Sequence, residues 1–396
     1  MTEYFLSLTP ETPLHTSSLK SKGDYLDTKS YLPGSVLRGT LAEWLKLQGE
    51  DSQIVPMVWK IRFGNFFPSP SERTPALPFP MTALECKLHG GFQNVPRNDE
   101  RGHGIRDSLL VALAYAELEK RGAHFPVPML LRCASAEGGS KCGGRMERVN
   151  GFYAHMPEGW FKIETPKMLQ TKVALSRHRR TTQEAMLYRV VGIRPKCTFV
   201  GRIWSESEAI VQEIEEAIET VGVGALTGRG FGTARAKVVN PTWESVSERL
   251  KAFNEKLSEV WCDLVDLAYQ VNSTAPNRPE GTYFSVSLLS PAVLSNSYGM
   301  PTLKLFLEIN GKWLEPVFWA TRPDFISGFS TAWGLPKPTR LGAAMGSVYV
   351  FWTDEPQDAV VSWLEDLEAK GVGDQTDEGL GEILVCHPFH KEVMPV

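Results

Sequence analysis

The residues with the clearest chemical potential lie in 222–239, GVGALTGRGFGTARAKVV. Five of the eleven residues from Gly222 to Gly232 are glycine, and Arg229, Arg235 and Lys237 sit among or just after them. Dense glycine lets backbone approach a partner closely. Free backbone N–H groups beside a guanidinium suit an anion. A nucleotide-binding glycine run follows a strand and opens a helix. Here the order is reversed. Ile210, Val211, Ile214, Ala217, Ile218 and Val221 recur at helical spacing before the run, and Ala234, Ala236 and Val238 alternate like a strand after it. A dinucleotide or P-loop site loses its context, and a longer polyanion lying across the loop becomes the expected partner.

A second basic feature precedes the loop. Residues 162–196 contain nine Lys/Arg (Lys172, Arg177, Arg179 and Arg180 among them) against only Glu164 and Glu184, with His178 and Thr181 in the same run. The whole chain, in contrast, carries a net charge of −4. Overall acidity argues against an indiscriminate nucleic-acid binder. It allows one basic face, with other faces used for protein contacts. The expected polyphosphate track runs from residues 162–196 onto the glycine loop.

A third group has metal-ligating character. Cys86, His103, Cys133 and Cys142 supply three thiols and an imidazole, the donor set of a tetrahedral Zn²⁺ site. The spacing between Cys133 and Cys142 is wider than in common zinc motifs, and His89 is an alternative fourth ligand. The six cysteines of this chain do not read as a disulfide framework. With no signal segment and no long uncharged apolar run, a cytoplasmic chain without a membrane partner is expected.

The elements that must position these groups repeat. At 396 residues the chain is long enough for two or three domains. Tyr4, Leu6 and Leu8 alternate as an opening strand. Pro33-Gly34 turns the chain, Ser35 is placed to cap a helix, and Leu37, Leu41, Trp44 and Leu45 form its stripe. With a strand at 197–203, the helix, the glycine loop and its strand, the front of the chain has the skeleton of a ferredoxin-like fold carrying a large insertion at about 50–195. The second half repeats it after a linker at 272–281. There 371–386, GVGDQTDEGLGEILVC, matches 222–237 without a gap at Gly222/Gly371, Gly224/Gly373, Gly230/Gly379 and Gly232/Gly381. Asp377 and Glu378 stand where the first copy has Gly228 and Arg229. The carboxylates repel phosphate, so the first copy is the expected nucleic-acid site. The fold class expected is α+β, with two tandem domains at 1–271 and 282–396.

These motifs together resemble the RAMP superfamily of CRISPR-associated proteins. YLPGSVLRGTLAEWL is similar to its opening helix, VALSRHRRTTQEAMLY to its Arg/Thr-rich segment, and GALTGRGFGTARAKV to its glycine loop. LPFPMTALECKLHGG, GHGIRDSLL and GLPKPTRLGAAMGSVYVFW resemble more narrowly the tandem-RAMP subunit of type III-D effector complexes. The resemblance implies a non-catalytic subunit that holds the 5′ repeat-derived tag of crRNA. Its implied neighbours are a large polymerase-like subunit and backbone RAMP subunits, and it meets target RNA only indirectly. On that reading Gly228, Gly230 and Gly232 bring backbone to phosphates and Arg229 and Arg235 pair with them. Arg38 adds its charge at a helix N-terminus, and Lys172, Arg177, His178, Arg179, Arg180 and Thr181 lie over the RNA. Phe231 either stacks on a base or packs in the core. The alternative is a metal-independent endoribonuclease that processes precursor crRNA, with His15 or His178 as its base.

Overall fold

The computed structural model describes residues 1–16, 25–93, 96–97, 100–126, 128–129, 131–137, 140–176, 178–271, 275–309, 311–330 and 334–393. The fold is α+β. The first unit opens with β1 (Thr2–Pro10), α1 (Gly34–Leu47) and β2 (Ile61–Ser69). The insertion follows, with β3 (Ala83–Cys86), β4 (Ile105–Asp107), α2 (Leu109–Lys120) and β5 (Met146–Arg148). A long antiparallel hairpin, β6 (Lys167–Leu175) and β7 (Thr182–Ile193), leads back to β8 (Thr198–Ser205), α3 (Glu208–Val221) and β9 (Ala234–Val239). Helix α4 (Val246–Tyr269) then reaches the second unit. That unit comprises β10 (Thr282–Leu288), β11 (Phe318–Ala320), β12 (Pro323–Ile326), β13 (Arg340–Ala343), β14 (Val348–Thr353), α5 (Gln357–Lys370) and β15 (Ile383–Val385).

Each unit is built on a four-stranded antiparallel sheet, ordered β9-β1-β8-β2 in the first and β11-β14-β10-β15 in the second. Numbered within its own unit, each sheet has the strand order 4-1-3-2. The apolar stripes explain the layers. Leu37, Leu41 and Leu45 of α1 and Val211, Ile214 and Ile218 of α3 are buried in one core with Leu6, Leu8, Phe63 and Ile203 of the sheet. Among the described residues, the second unit has no helix between its first two strands. Helix α4 supplies that layer: Leu250, Phe253, Leu257 and Trp261 share a core with Phe284, Val286 and Phe351, and α2 joins them through Leu109 and Leu113. So α4, which lies inside the expected first domain at 1–271, packs with the second unit. Residues of β10 read as an alternating strand, yet all seven are buried.

Two details of α1 differ from expectation. The helix begins at Gly34 and its N-cap is Pro33, with no side-chain cap. Ser35 lies within the first turn. The orphan amide of Gly34 is instead satisfied across the fold by Asn65 Oδ1 at 3.0 Å.

The units are joined by a buried charge network. Arg202 of β8 is ion-paired to Glu3 at 3.2 Å, to Glu368 of α5 at 2.9 Å and to Glu382 at 3.0 Å. Arg249 of α4 pairs with the same Glu368 at 3.0 Å and donates to the Val385 carbonyl at 2.6 Å. Glu382 also accepts the Asn65 amide at 2.8 Å. Arg62 donates to the Glu368 and Ala369 carbonyls at 2.9 and 2.6 Å, capping the end of α5, while lying 4.0 Å over the Trp204 ring. Despite its burial, Glu368 is held below the usual carboxylate range by Arg249 and Arg202. We predict that Arg202→Met destabilises the protein by about 3–5 kcal/mol, because buried carboxylates lose their partner. Chemical denaturation measures this, and a variant as stable as the parent would show that the network does not hold the units together.

Candidate nucleic-acid interface and metal centre

The two glycine loops are the same structure twice. Val223 N donates to Gly232 O at 2.7 Å, and Val372 N to Gly381 O at 2.9 Å. Ala225 N reaches back to His15 O at 2.9 Å and Asp374 N to Val293 O at 3.0 Å; Gly232 N and Gly381 N donate to Pro13 O and Pro291 O, each at 2.9 Å. Leu226 and Gln375, at matching positions, both take the left-handed conformation, with φ of 67° and 60°. Both tips are single 3₁₀ turns, Thr227–Arg229 and Thr376–Glu378.

The glycines divide into two jobs. A Cβ at Gly222, Gly224 or Gly232 would run into the carbonyl oxygens of Gly232, His15 and Val223 respectively. Gly232 therefore serves the loop's own packing, its amide being taken by Pro13 O, where an approach of backbone to phosphate was expected. Gly228 and Gly230 face open space. In the second loop the tip is covered: a Cβ at Gly379 would meet Phe63 O at 3.0 Å and Gly34 at 3.1 Å.

What covers it accounts for Arg38. The Arg38 guanidinium pairs with Asp377 at 2.9 Å and Glu378 at 3.1 Å, and Lys337 also binds Glu378. Arg38 is thus paired with the second loop's carboxylates, where contact with RNA was expected. Phe231 is 2% exposed, so base stacking is excluded and it packs in the interior. Lys172 lies 5.2 Å over its ring, which places the hairpin directly against the first loop. Arg229 completes the junction: it donates to Tyr188 Oη of β7 at 3.1 Å. Arg235 is 75% exposed and ion-paired to Glu11 at 2.7 Å. His178, Arg179, Arg180 and Thr181 are exposed at the hairpin turn, where Arg180 has φ of 51°. Arg177 lies outside the described residues. The structure therefore groups Lys172, Tyr188, Arg229 and the open glycines. Tyr188 was missed: nothing in its local spacing marks it. His15, the alternative nuclease base, is buried with its Nδ1 2.8 Å from Val191 O.

A chain of Ser287, His390 and Asp107 has the connectivity of a hydrolase triad, with Ser287 Oγ 3.3 Å from His390 Nε2 and His390 Nδ1 2.8 Å from Asp107 Oδ2. All three residues are 2% exposed or less, so no substrate reaches the hydroxyl.

In the insertion, ligand atoms of Cys86, His103, Cys133 and Cys142 all lie within 4.8 Å of one another. Cys86 ends β3. The wide Cys133–Cys142 spacing is closed by a small hairpin, with Cys142 N donating to Ser135 O at 2.8 Å and Gly143 N to Cys133 O at 2.9 Å. Cys86 and Cys142 Sγ are 3.8 Å apart, and Cys133 Sγ is 3.3 Å from His103 Nδ1. A tetrahedron with arms of about 2.3 Å has edges of about 3.8 Å, so the donors fit a four-coordinate metal. Gly144 leaves room beside them: a Cβ there would sit 3.2 Å from both Cys86 and Cys142 Sγ. Burial pushes the Cys133 thiol up, but hydrogen bonds from Ser135, His103 and Cys86 outweigh it and bring it down to about 7. His89 is stacked on His103, ring centroids 4.4 Å apart, and is not one of the four.

Among the described residues no helix is long and apolar enough to cross a membrane. The family model for the CRISPR-associated protein Cas_Cmr3 matches residues 169–388, and the model for the RAMP superfamily matches residues 7–235. No curated protein matches the chain. Solved structures with some likeness include a chain of the type III-B Cmr-beta complex bound to cognate target RNA. It is 11% identical, covering 91% of this chain and 89% of that one, with a TM-score of 0.38. A chain of the same complex with target RNA and AMPPnP is 13% identical over 91% and 88%, with a TM-score of 0.36. One from its apo state is 11% identical over 60% and 97%, with a TM-score of 0.28. Overlaps this loose do not establish a shared fold. The two family models each span more than half of the chain and between them take in both glycine loops: the chain belongs to the RAMP superfamily of CRISPR-associated proteins, within the Cas_Cmr3 family.

Proposed function

We propose that this protein is a non-catalytic RNA-binding subunit of a type III-D effector complex, gripping the 5′ repeat-derived tag of crRNA. The observation that carries the reading is the contrast between the loops. One tip is neutralised and covered by Arg38 and α1. The other is open, free of carboxylates, and backed by Lys172, Arg229 and the hairpin turn. Leu169, Val173, Leu175 and Leu187 of the same hairpin are each more than 40% exposed, which suits contact with neighbouring subunits such as a polymerase-like subunit and backbone RAMP subunits. The 4-1-3-2 order in both sheets supports tandem ferredoxin-like domains. Because α4 packs with the second unit, the division between them is best drawn between Val239 and Val246. Target RNA meets this subunit only through the guide.

We predict that the double variant Lys172→Glu/Arg229→Glu loses about 1–3 kcal/mol of RNA affinity, the scale of charge-assisted contacts. The remaining binding should fall steeply with salt. Arg38→Ala should lower stability and leave RNA affinity unchanged. Electrophoretic mobility shifts with a repeat-derived RNA check all three. Undiminished binding in the folded double variant would overturn the site.

We further propose that Cys86, His103, Cys133 and Cys142 hold a structural Zn²⁺. Three sulfurs and one imidazole with no open ligand position suit folding rather than chemistry. Elemental analysis of protein purified without chelator should find about one zinc per chain, and Cys133→Ser should lower both the zinc content and the melting temperature. Metal-free protein of full stability would refute the assignment.

A further inference from the structure

The first unit carries, at the start of α3, an apolar surface that its own core does not use. A nine-residue helix, Asp51–Trp59, follows α1 there. It turns Ile54, Met57 and Val58 toward the core of the first unit. A helix this short, with Pro56 inside it, is marginal on its own, so that inner contact is what keeps it formed. Its outer side is apolar as well. Val55 is 63% and Trp59 71% exposed, and Leu47, the last residue of α1, is 66% exposed. No other described tryptophan is as exposed as Trp59.

Carboxylates surround this surface. Glu50 and Asp51 open the short helix. Ser205 of β8 pairs with Ile61, which brings Glu206 and Glu208, at the start of α3, beside Trp59 and Lys60. Glu213 and Glu216 follow along α3. Burial, and then the nearby Glu50 and Glu216, push the Glu213 carboxyl above its usual range, so carboxylates of the two segments lie close together. Segments 46–60 and 206–216 hold seven carboxylates against only Lys46 and Lys60. Of the seven, Glu215 turns away to the Val238 amide. Among the described residues none of the other six has an ion-pair partner, whereas exposed Glu11, Glu315 and Asp354 pair with Arg235, Lys304 and Lys312. Apolar side chains ringed by unneutralised carboxylates make a surface that lacks both its cover and its counter-charges.

We propose that this face docks a basic amphipathic helix of a neighbouring protein, with its apolar stripe on Leu47, Val55 and Trp59 and its cations on the surrounding carboxylates. Such a helix presents an apolar stripe and charged flanks together. The same carboxylates repel RNA phosphates and anionic lipid. A second copy of this chain is disfavoured too, because a two-fold contact would set the acidic face against itself. Helix α3 puts 14 residues, about 20 Å, between this face and the glycine loop, so the protein contact leaves the RNA track free.

The test has two arms, both on the full chain. The first uses a synthetic helical peptide with leucine on one face and lysine on the other, alongside the same peptide with glutamate in place of lysine. Fluorescence anisotropy of labelled peptide should show binding of the lysine peptide only. Val55→Ser/Trp59→Ala should weaken that binding about tenfold, and so should Glu50→Lys/Glu213→Lys. Because Val55 and Trp59 are exposed, the first double variant should keep its melting temperature and its RNA affinity. The second arm uses the complex purified with its natural partners and a carbodiimide, which joins carboxylates to lysines in contact. Links from Glu50, Glu206 or Glu213 to one lysine-rich segment of a partner are expected, and Val55→Ser/Trp59→Ala should abolish them. Equal binding of the two peptides, or lysine-peptide binding that neither double variant weakens, overturns the proposal, as does a complex without such links. A concentration-dependent dimer that Trp59→Ala dissolves would overturn it in favour of a second copy of this chain, and photocrosslinks from RNA to Trp59 in favour of RNA.

Discussion

The buried Arg202 guanidinium and the carboxylates around it constrain everything else in this molecule. Burial alone would make the charge costly, but Glu382, Glu3 and Glu368 close around it and keep it protonated. Glu368 is shared with Arg249, and Glu382 with the Asn65 amide. Six segments from both units thus meet in one network, and each charge is compensated only if the others are in place. Arg62 shows how dry the seam is: burial pulls its guanidinium down to about 10 even with Glu382 nearby.

That seam sets the relative placement of the units, and the placement gives two identical loops different lives. The second loop is pressed onto the start of α1. There its carboxylates answer Arg38, and Gly379 admits the close approach of Gly34. The first loop shares the backbone turn and its hydrogen bonds, and α1 touches only its start, where Thr40 donates to Gly222 O. Its tip keeps Gly228 and Gly230 open, and its Arg229 leans on Tyr188 of the hairpin. The two loops share the turn, and they differ in charge at two positions and in what each tip meets.

Local order was readable from the residues. The helix before the loop, the strand after it, the gapless glycine match and the four clustered Cys/His residues each follow from periodicity or donor chemistry. What escaped were contacts between distant positions. Arg38 and Glu378 are 340 residues apart, and nothing near Arg38 foretells a carboxylate partner. The Asn65 cap on α1 is equally remote, which is why Ser35, a good capping residue, was the local choice. Phe231 sits in a polar, glycine-rich stretch, yet the hairpin folds over it and buries it. The stripe of α4 reveals a helix but not that it serves the second sheet, because the vacancy arises from the lack, among the described residues, of a helix between the first two strands of the second unit.

The central claim is that the open loop and hairpin hold the tag end of a guide RNA. The most direct measurement is to purify the protein with its natural partners, extract the nucleic acid and sequence its 5′ ends. The account predicts RNA with one uniform, repeat-derived 5′ end, crosslinked to the segments around Lys172 and Arg229. RNA with heterogeneous 5′ ends, or crosslinks confined to the second loop around Asp377 and Glu378, would contradict it.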